Sequence, residues 1–102
     1  MVAKGKGDGV RFLDVGELVF GQVFEAHGTF AEYTICPASN LFKVPSNISP
    51  MEAASLPLVS QTSYQSLEAL NLSEKSKILI LGGSSACGMA GIQIAKNHIG
   101  CR

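Results

Sequence analysis

The stretch ILILGGSSACGMAGIQIAK, residues 78–96, has the pattern of a strand, a loop of small residues and a helix. The apolar run 78–81 is typical of a parallel strand that is buried on both faces. After the loop, helical spacing predicts one apolar packing stripe, formed by Met89, Ile92, Ala95 and Ile99. Gly100 then suits a left-handed helix cap. This order of elements predicts the first half of a βαβ unit.

The loop matches two of the three glycines of the dinucleotide fingerprint G-x-G-x-x-G. Gly83 and Gly88 take the first and third positions, for the tight turn and for close helix packing, and Ser85 takes the second. A serine there narrows the approach to a pyrophosphate, but its hydroxyl can donate to a phosphate oxygen. The backbone N–H groups and the helix dipole remain available to an anion. A strand-to-helix turn without a ligand fits the local motif equally well.

Composition excludes several classes of function. The 102 residues are 46% hydrophobic and 16% charged, which is typical of a packed globular protein. Eight basic and eight acidic residues cancel, so a nucleic-acid partner is not expected. The apolar runs are too short for a membrane span, and the first residues lack the pattern of a signal or transit peptide. The sequence therefore predicts a cytoplasmic chain.

Cysteine and histidine spacing predicts no metal site. Cys36, Cys87 and Cys101 form no CxxC pair, and His27 and His98 do not complete a zinc pattern. Cys36 is interpreted as a small core residue. His98 is expected near the negative end of a helix dipole.

The two halves of the chain differ in the secondary structure that their sequence patterns predict. Residues 1–45 are spaced by glycines and predict strands at 18–20, 23–24, 30–36 and 41–44. Within the third of these, alternation places Ala31, Tyr33 and Ile35 on a buried face and Glu32 on a solvated one. The segment GKGDG, residues 5–9, lacks the ending of a phosphate loop and predicts a turn.

Helix signals dominate the second half. Ser49 as cap, Pro50 in the first turn and Glu52 closing a capping box predict a short helix over 51–56, ended by Pro57. A second helix is predicted over 58–70, with Tyr64, Leu67 and Leu70 as its apolar stripe.

Four blocks of the chain carry a resemblance to a known family. They are VRFLDVGELVFG (10–21), GTFAEYTICP (28–37), LFKVPSNISPMEAASLPLVSQTSYQSLEAL (41–70) and KILILGGSSACGMAGIQIAK (77–96). In this order they resemble consecutive blocks of the medium-chain dehydrogenase/reductase superfamily, in particular its zinc-independent, quinone oxidoreductase-like branch. Two departures are Glu17 in place of the aspartate of the family's GD, and residues 85–88 in place of its GGVG.

The resemblance implies an α/β fold that is part of a larger enzyme. Residues 1–48 are expected to be the C-terminal part of a GroES-like β-barrel catalytic domain, and 49–76 a helical connection between domains. Residues 77–102 are then the truncated start of a Rossmann dinucleotide-binding domain, its first βα unit. The single βα unit leaves its strand without parallel neighbours, so this fragment is not expected to bind a dinucleotide tightly or to be active alone.

Family roles can be transferred to a few positions. Thr62 matches a threonine that by resemblance lies near the nicotinamide, although a helix-start capping role is an equal alternative. The cofactor-binding loop by resemblance is Gly83, Ser84, Ser85, Ala86, Cys87 and Gly88. Cys87 is interpreted as a small packing residue, with a redox thiol as the alternative. No catalytic acid or base is identifiable.

The activity implied by the resemblance is hydride transfer from NADPH to a quinone or an α,β-unsaturated carbonyl, without zinc. The cofactor is expected to be NADP. NAD remains the alternative, because the residue that distinguishes the two lies about 20 residues beyond the fingerprint and therefore outside these 102 residues. The implied partners are a small-molecule substrate and, for the parent enzyme, a second identical subunit. Two alternatives remain, namely a non-catalytic adaptor on the same fold and an enoyl-reductase piece of a multidomain synthase.

Overall fold

The computed structural model describes residues 1–24 and 28–102, so His27 lies outside the described residues. The chain divides into two compact units, Met1–Pro57 and Leu58–Arg102. In chain order the elements are strand β1 (Val19–Gly21), a 3₁₀ turn (Ala38–Asn40), strand β2 (Leu41–Lys43), helices α1 (Pro50–Ser55), α2 (Pro57–Glu68) and α3 (Ala86–Ile94), and a π-helical turn (Ala95–Ile99). No helix in the described ranges is both long and apolar enough to cross a membrane.

The first unit is built around an antiparallel pair, β1 and β2. Phe20 lies opposite Phe42, and their ring centroids are 6.1 Å apart. On the other side of β1, Val2 forms a bridge with Leu18. Val19, the first residue of β1, is buried. The strands predicted at 18–20 and 41–44 are therefore confirmed, because each finds a partner for its backbone N–H and C=O groups.

The predicted strands at 23–24 and 30–36 do not form, and this prediction is wrong. Tyr33 and Ile35 were expected on a buried face, yet they are 72% and 86% exposed. No described residue pairs with 30–36, and an isolated segment gains no ladder hydrogen bonds. Instead Thr34 Oγ1 donates to the carbonyl of Gly28 at 2.9 Å, which closes a loop. Cys36 is only half-buried, and its Sγ donates to the carbonyl of Gln22 at 3.5 Å.

Glu17 organises the turn that precedes β1. Its carboxylate accepts the backbone N–H of Asp14 at 2.7 Å and the ammonium of Lys43 at 2.6 Å. The hydrogen bond from Lys43, and then that from Asp14, lower the pKa of Glu17. Lys6 binds Asp14 at 2.9 Å and lowers the pKa of that carboxyl in turn. Glutamate, the departure from the family pattern, thus makes both a turn contact and a contact to β2.

The start of α1 confirms the predicted capping box. Ser49 Oγ accepts the N–H of Glu52 at 3.2 Å. In return, the carboxylate of Glu52 accepts the N–H and the hydroxyl of Ser49, both at 2.7 Å. These bonds, the backbone one first, lower the pKa of Glu52. A new helix, α2, begins at Pro57, so the break predicted at this proline is confirmed.

The second unit packs around Leu67, Ala95 and Cys101, all buried. Its partly buried neighbours are Leu72, Ile78, Ile94 and Ile99. The predicted stripe of α2 is only partly correct, because Ser63 and Leu67 are its buried residues, whereas Tyr64 and Leu70 are exposed.

Two predictions around residues 78–96 are corrected. Residues 78–81 pair with no other strand in the described ranges, and Leu79 and Leu81 are each 85% exposed, so this run is not buried on both faces. On α3 the buried residues are Gly88 and Gly91, whereas Met89 and Ile92 of the predicted stripe are exposed. The other two members of the stripe are confirmed, because Ala95 is buried in the core and Ile99 packs against it. The helical segment ends at Gly100 with φ 82°, the predicted left-handed cap, and His98 lies in its last turn.

Candidate functional site: the glycine–serine loop and the start of α3

The loop of residues 82–88 makes its sharp turn at Gly82. That residue has φ 72°, which is the left-handed region that favours glycine. The N–H of Ser85 donates to the carbonyl of Gly82 at 2.9 Å and closes the turn. Gly83 was predicted to make this turn, but its φ is not in the left-handed region. A Cβ at Gly83 would lie 3.2 Å from Cδ1 of Ile92. The tight-turn role thus belongs to Gly82.

Gly88 lets the helix approach the loop. A Cβ added there would collide with the carbonyl oxygen of Gly82 and lie 2.7 Å from Cα of Gly83. Neither contact can be relieved by rotating a side chain, because both partners are backbone atoms. Close backbone packing of this kind is the contribution that the fingerprint assigns to its third glycine.

Ser85 is the N-cap of α3. Its φ of −74° and ψ of 161° are extended, and its Oγ accepts the N–H of Gly88 at 3.0 Å. Its carbonyl accepts the N–H of Met89 at 2.8 Å, the first bond of the helix. This hydrogen bonding gives a structural reason for serine where the fingerprint has glycine. The hydroxyl proton of Ser85 is not used by the cap and can still be donated.

The capping leaves two donors at the helix start. Within the described part of the chain, the N–H groups of Ala86 and Cys87 make no hydrogen bond. Both residues are exposed, and the first turn of α3 contains no acidic residue. Two unpaired N–H groups, the positive end of the helix dipole and a closely approaching backbone suit a phosphate group.

Cys87 does not pack as predicted. Its side chain is exposed, whereas its carbonyl is engaged: Ser63 Oγ donates to it at 2.8 Å. Ser63 is buried on α2 and was not singled out from the sequence. The sequence LVSQTSYQSL carries no signal that separates Ser63 from Ser66, which is exposed. A small residue beside a close helix contact is easily overlooked when only apolar periodicity is considered.

Thr62 lies inside α2, next to Ser63. It is the sixth residue of a helix that begins at Pro57, so the alternative role as a helix-start cap is wrong. Its side chain is exposed, and its carbonyl accepts the hydroxyl of Ser66 at 2.8 Å. The structure thus joins the helix of Thr62 to the loop through Ser63. The role beside a nicotinamide stays a prediction.

The other titratable candidates do not assemble into a site. Among residues 1–24 and 28–102, no three His, Cys, Asp or Glu side chains are grouped so as to hold a metal ion. Glu32 is exposed, in a segment that is not a strand. The loop at the start of α3 is accordingly the candidate functional site.

Comparison with known proteins indicates the class of this chain. No protein-family model matches it. The chain is 37% identical over 101 residues to the 2-methylene-furan-3-one reductase of Solanum lycopersicum, a match that covers 92% of the chain and 26% of that protein. It is 39% identical over 99 residues to the trans-enoyl reductase pgmF of Aspergillus terreus, covering 94% of the chain and 28% of the reductase.

A third relative is a much longer protein. The probable polyketide synthase 2 of Dictyostelium discoideum is 39% identical over 93 residues, which cover 88% of the chain and 3% of the synthase. The chain thus spans about a quarter of the length of the two reductases. Together, the relatives point to the medium-chain dehydrogenase/reductase superfamily. They are consistent with an oxidoreductase.

Proposed function

We propose that this chain is a segment of an NAD(P)H-dependent oxidoreductase of the zinc-independent, quinone oxidoreductase-like branch, with the loop 82–88 and the start of α3 as its pyrophosphate site. The observation that carries the proposal is a capped helix start that has two unpaired N–H groups and no acidic residue of its own. The extensive match to two reductases supports the same reading. The reaction is transfer of a hydride to a quinone or an α,β-unsaturated carbonyl.

In this proposal the residues of the chain bind the dinucleotide and orient it. The N–H groups of Ala86 and Cys87 donate to phosphate oxygens, Gly88 lets the backbone come close, and Ser85 caps the helix through its Oγ. Thr62 faces the nicotinamide end. A bound dinucleotide, NADP or alternatively NAD, supplies the hydride chemistry. The rest of the nucleotide domain, the substrate site and a second identical subunit belong to the longer parent enzyme, which is cytoplasmic.

A second candidate is a reductase segment of a multidomain synthase, favoured by the match to the polyketide synthase. The two candidates share the dinucleotide site and differ in what surrounds it. Sequencing the transcript on both sides of the chain distinguishes them, because a synthase predicts acyl-transfer and condensation domains in the same reading frame. A non-catalytic adaptor on the same fold is the third alternative, and it predicts no cofactor affinity.

The test is a titration of the protein encoded by the complete reading frame with NADPH and with NADH, in which calorimetry measures the binding. Saturable binding of either dinucleotide is the expected result, and protein that binds should oxidise NADPH when a quinone or an enone is added. A matched control is the same protein with Ala86→Asp, which places a negative charge at the helix start. Absence of saturable binding of both dinucleotides would reject the reductase proposal and favour the adaptor.

A further inference from the structure

A hydrogen bond joins the candidate site to a separate helix. Ser63 Oγ on α2 donates to the carbonyl of Cys87 in the first turn of α3, at 2.8 Å and across 24 positions of sequence. Ser63 is only 7% exposed. A buried hydroxyl that found no partner would be unfavourable, so this bond determines where its oxygen lies.

Gly91 lies where the two helices meet. It is one helical turn after Cys87 and is buried. A Cβ added at Gly91 would lie 3.8 Å from Cβ and 3.9 Å from Oγ of Ser63. The same Cβ would lie 3.6 Å from Cδ1 of Ile80, in the segment that leads into the loop. The two helices and that segment therefore meet around Gly91, at distances of ordinary van der Waals contact.

The carbonyl of Cys87 and the N–H of Gly88 belong to one planar peptide group. Ser63 holds its oxygen at 2.8 Å, and Ser85 Oγ accepts its N–H at 3.0 Å. One peptide of the first helical turn is thus fixed at both ends, by side chains from two different parts of the unit. The unpaired N–H groups of Ala86 and Cys87 immediately precede that peptide.

We propose that Ser63 is a positioning residue for the phosphate site: its bond to the Cys87 carbonyl fixes the first turn of α3, and with it the two unpaired donors, relative to α2. This inference rests on the function proposed above. Ser63 itself does not contact the phosphate. Donors that are already fixed before binding lose less conformational freedom when the ligand arrives, which strengthens binding.

The experiment compares Ser63→Ala with Ser66→Ala in the complete reading frame. Ser66 is a matched control because it lies on the same helix and donates to a backbone carbonyl at the same 2.8 Å, that of Thr62. A net hydrogen bond corresponds to about a 2- to 10-fold change in an equilibrium constant. We expect Ser63→Ala to raise the Kd and the KM for NADPH by that factor while kcat at saturating NADPH is unchanged. Ser66→Ala should change none of these quantities.

Hydrogen exchange supplies a readout that does not depend on activity. The amides of Gly88 and Met89 should exchange faster in Ser63→Ala and at the original rate in Ser66→Ala. If the parent protein binds NADPH and Ser63→Ala binds it equally well, the positioning role is wrong and the proposed function stands. Equal losses in both variants would also reject the role, because they indicate a general effect on α2. If the parent protein binds no dinucleotide, the proposed function itself fails.

Discussion

Helices α1 and α3 begin with the same serine cap and differ at the third residue after it. In both, a serine caps the helix and its carbonyl accepts the first helical N–H, that of Ala53 or Met89, at 2.9 and 2.8 Å. The third residue after the cap is Glu52 in α1 and Gly88 in α3. The carboxylate of Glu52 accepts the N–H of Ser49, whereas Gly88 has no side chain that could accept a hydrogen bond from Ser85.

The difference indicates which helix start can receive a ligand. At α1 the protein provides its own anion in the first turn, which satisfies the dipole and the cap internally. At α3 the first turn contains no acidic residue, and the glycine lets another backbone come within contact distance. Serine caps alone do not distinguish the two sites. The residue three positions later does, and the four predictions below test that distinction.

Gly88→Ala should have the largest effect. Helix propensity alone predicts a gain of about 1 kcal/mol for this change. The added Cβ, however, must push backbone atoms of Gly82 and Gly83 aside, and overpacking of this kind costs about 1–3 kcal/mol. We expect a net loss of stability in urea unfolding followed by circular dichroism, and a loss of NADPH affinity of more than about tenfold, or 1.4 kcal/mol.

The control for this variant is Gly7→Ala, where a Cβ meets no atom within 4 Å. It should change stability by less than about 0.5 kcal/mol, as surface substitutions usually do. Stabilisation by Gly88→Ala would show that helix propensity dominates and that the close approach to the loop is dispensable.

Ala86→Asp gives α3 the internal anion that α1 already has. The new carboxylate should stabilise the helix start by about 0.3–1 kcal/mol. It should also weaken NADPH binding about tenfold or more at low salt. Like charges about 4 Å apart repel by about 1 kcal/mol in bulk water and by about 4 kcal/mol near a protein surface, where the effective dielectric constant is lower. Opposite signs for stability and affinity are the expected signature, measured by thermal unfolding and calorimetry.

Added salt should reduce the loss of affinity, because exposed charges are screened. Ala54→Asp introduces the same charge at an exposed position of α1, and it should leave NADPH affinity unchanged. If both variants bind NADPH as the parent does, the phosphate is not held at the start of α3.

The extent to which the sequence predicts these features depends on how local each one is. The capping box of α1 was predictable because its serine, proline and glutamate are neighbours whose hydrogen bonds need nothing from elsewhere in the chain. The strands expected at 30–36 and 78–81 were not, because an apolar run becomes a strand only when a partner supplies the ladder. The described residues supply none for either run.

The candidate site shows the same division. Its glycine pattern was visible, but the residue that makes the turn is Gly82 rather than Gly83. Apolar periodicity pointed to Met89 and Ile92 as the packed face of α3, whereas the close contacts are made by glycines, which carry no hydrophobic signal. Ser63 was missed for a related reason. In a sequence, a serine within a helix looks like a solvent-exposed residue. Only the structure shows that the carbonyl of Cys87 on α3 lies within hydrogen-bond distance of its hydroxyl.

Acid should affect the two helix starts differently. The pKa of Glu52 lies below its usual value of 4.5 because Ser49 donates two hydrogen bonds to its carboxylate. The pKa is therefore lower in the folded than in the unfolded chain. The resulting stabilisation is complete above about pH 4.5 and is lost as the pH falls through the lowered pKa. The first turn of α3 contains no carboxyl group and should respond less.

The measurement is the hydrogen-exchange protection of four matched amides between pH 6 and pH 3. Those of Glu52 and Ala53 should lose protection over the lower part of this range, and those of Gly88 and Met89 should lose less. Glu52→Gln should remove the pH dependence at α1 and leave α3 unchanged. If both helix starts lost protection in parallel, and did so in Glu52→Gln as well, global unfolding and not the capping box would determine the pH dependence of exchange.

Ser85→Gly should have the smallest effect, and it tests how the serine in the fingerprint is used. Glycine at an N-cap costs only a few tenths of a kcal/mol relative to serine, whereas alanine costs about 1 kcal/mol. Glycine also removes the Cβ that narrows the approach of a pyrophosphate, so NADPH affinity in Ser85→Gly should be preserved or slightly tighter. Ser85→Ala keeps the Cβ and loses the cap, and should bind more weakly. The reverse order, with Ser85→Gly losing affinity while its thermal unfolding is unchanged, would show that the free hydroxyl proton donates to the phosphate. Serine would then replace the missing glycine by adding a contact rather than by capping the helix.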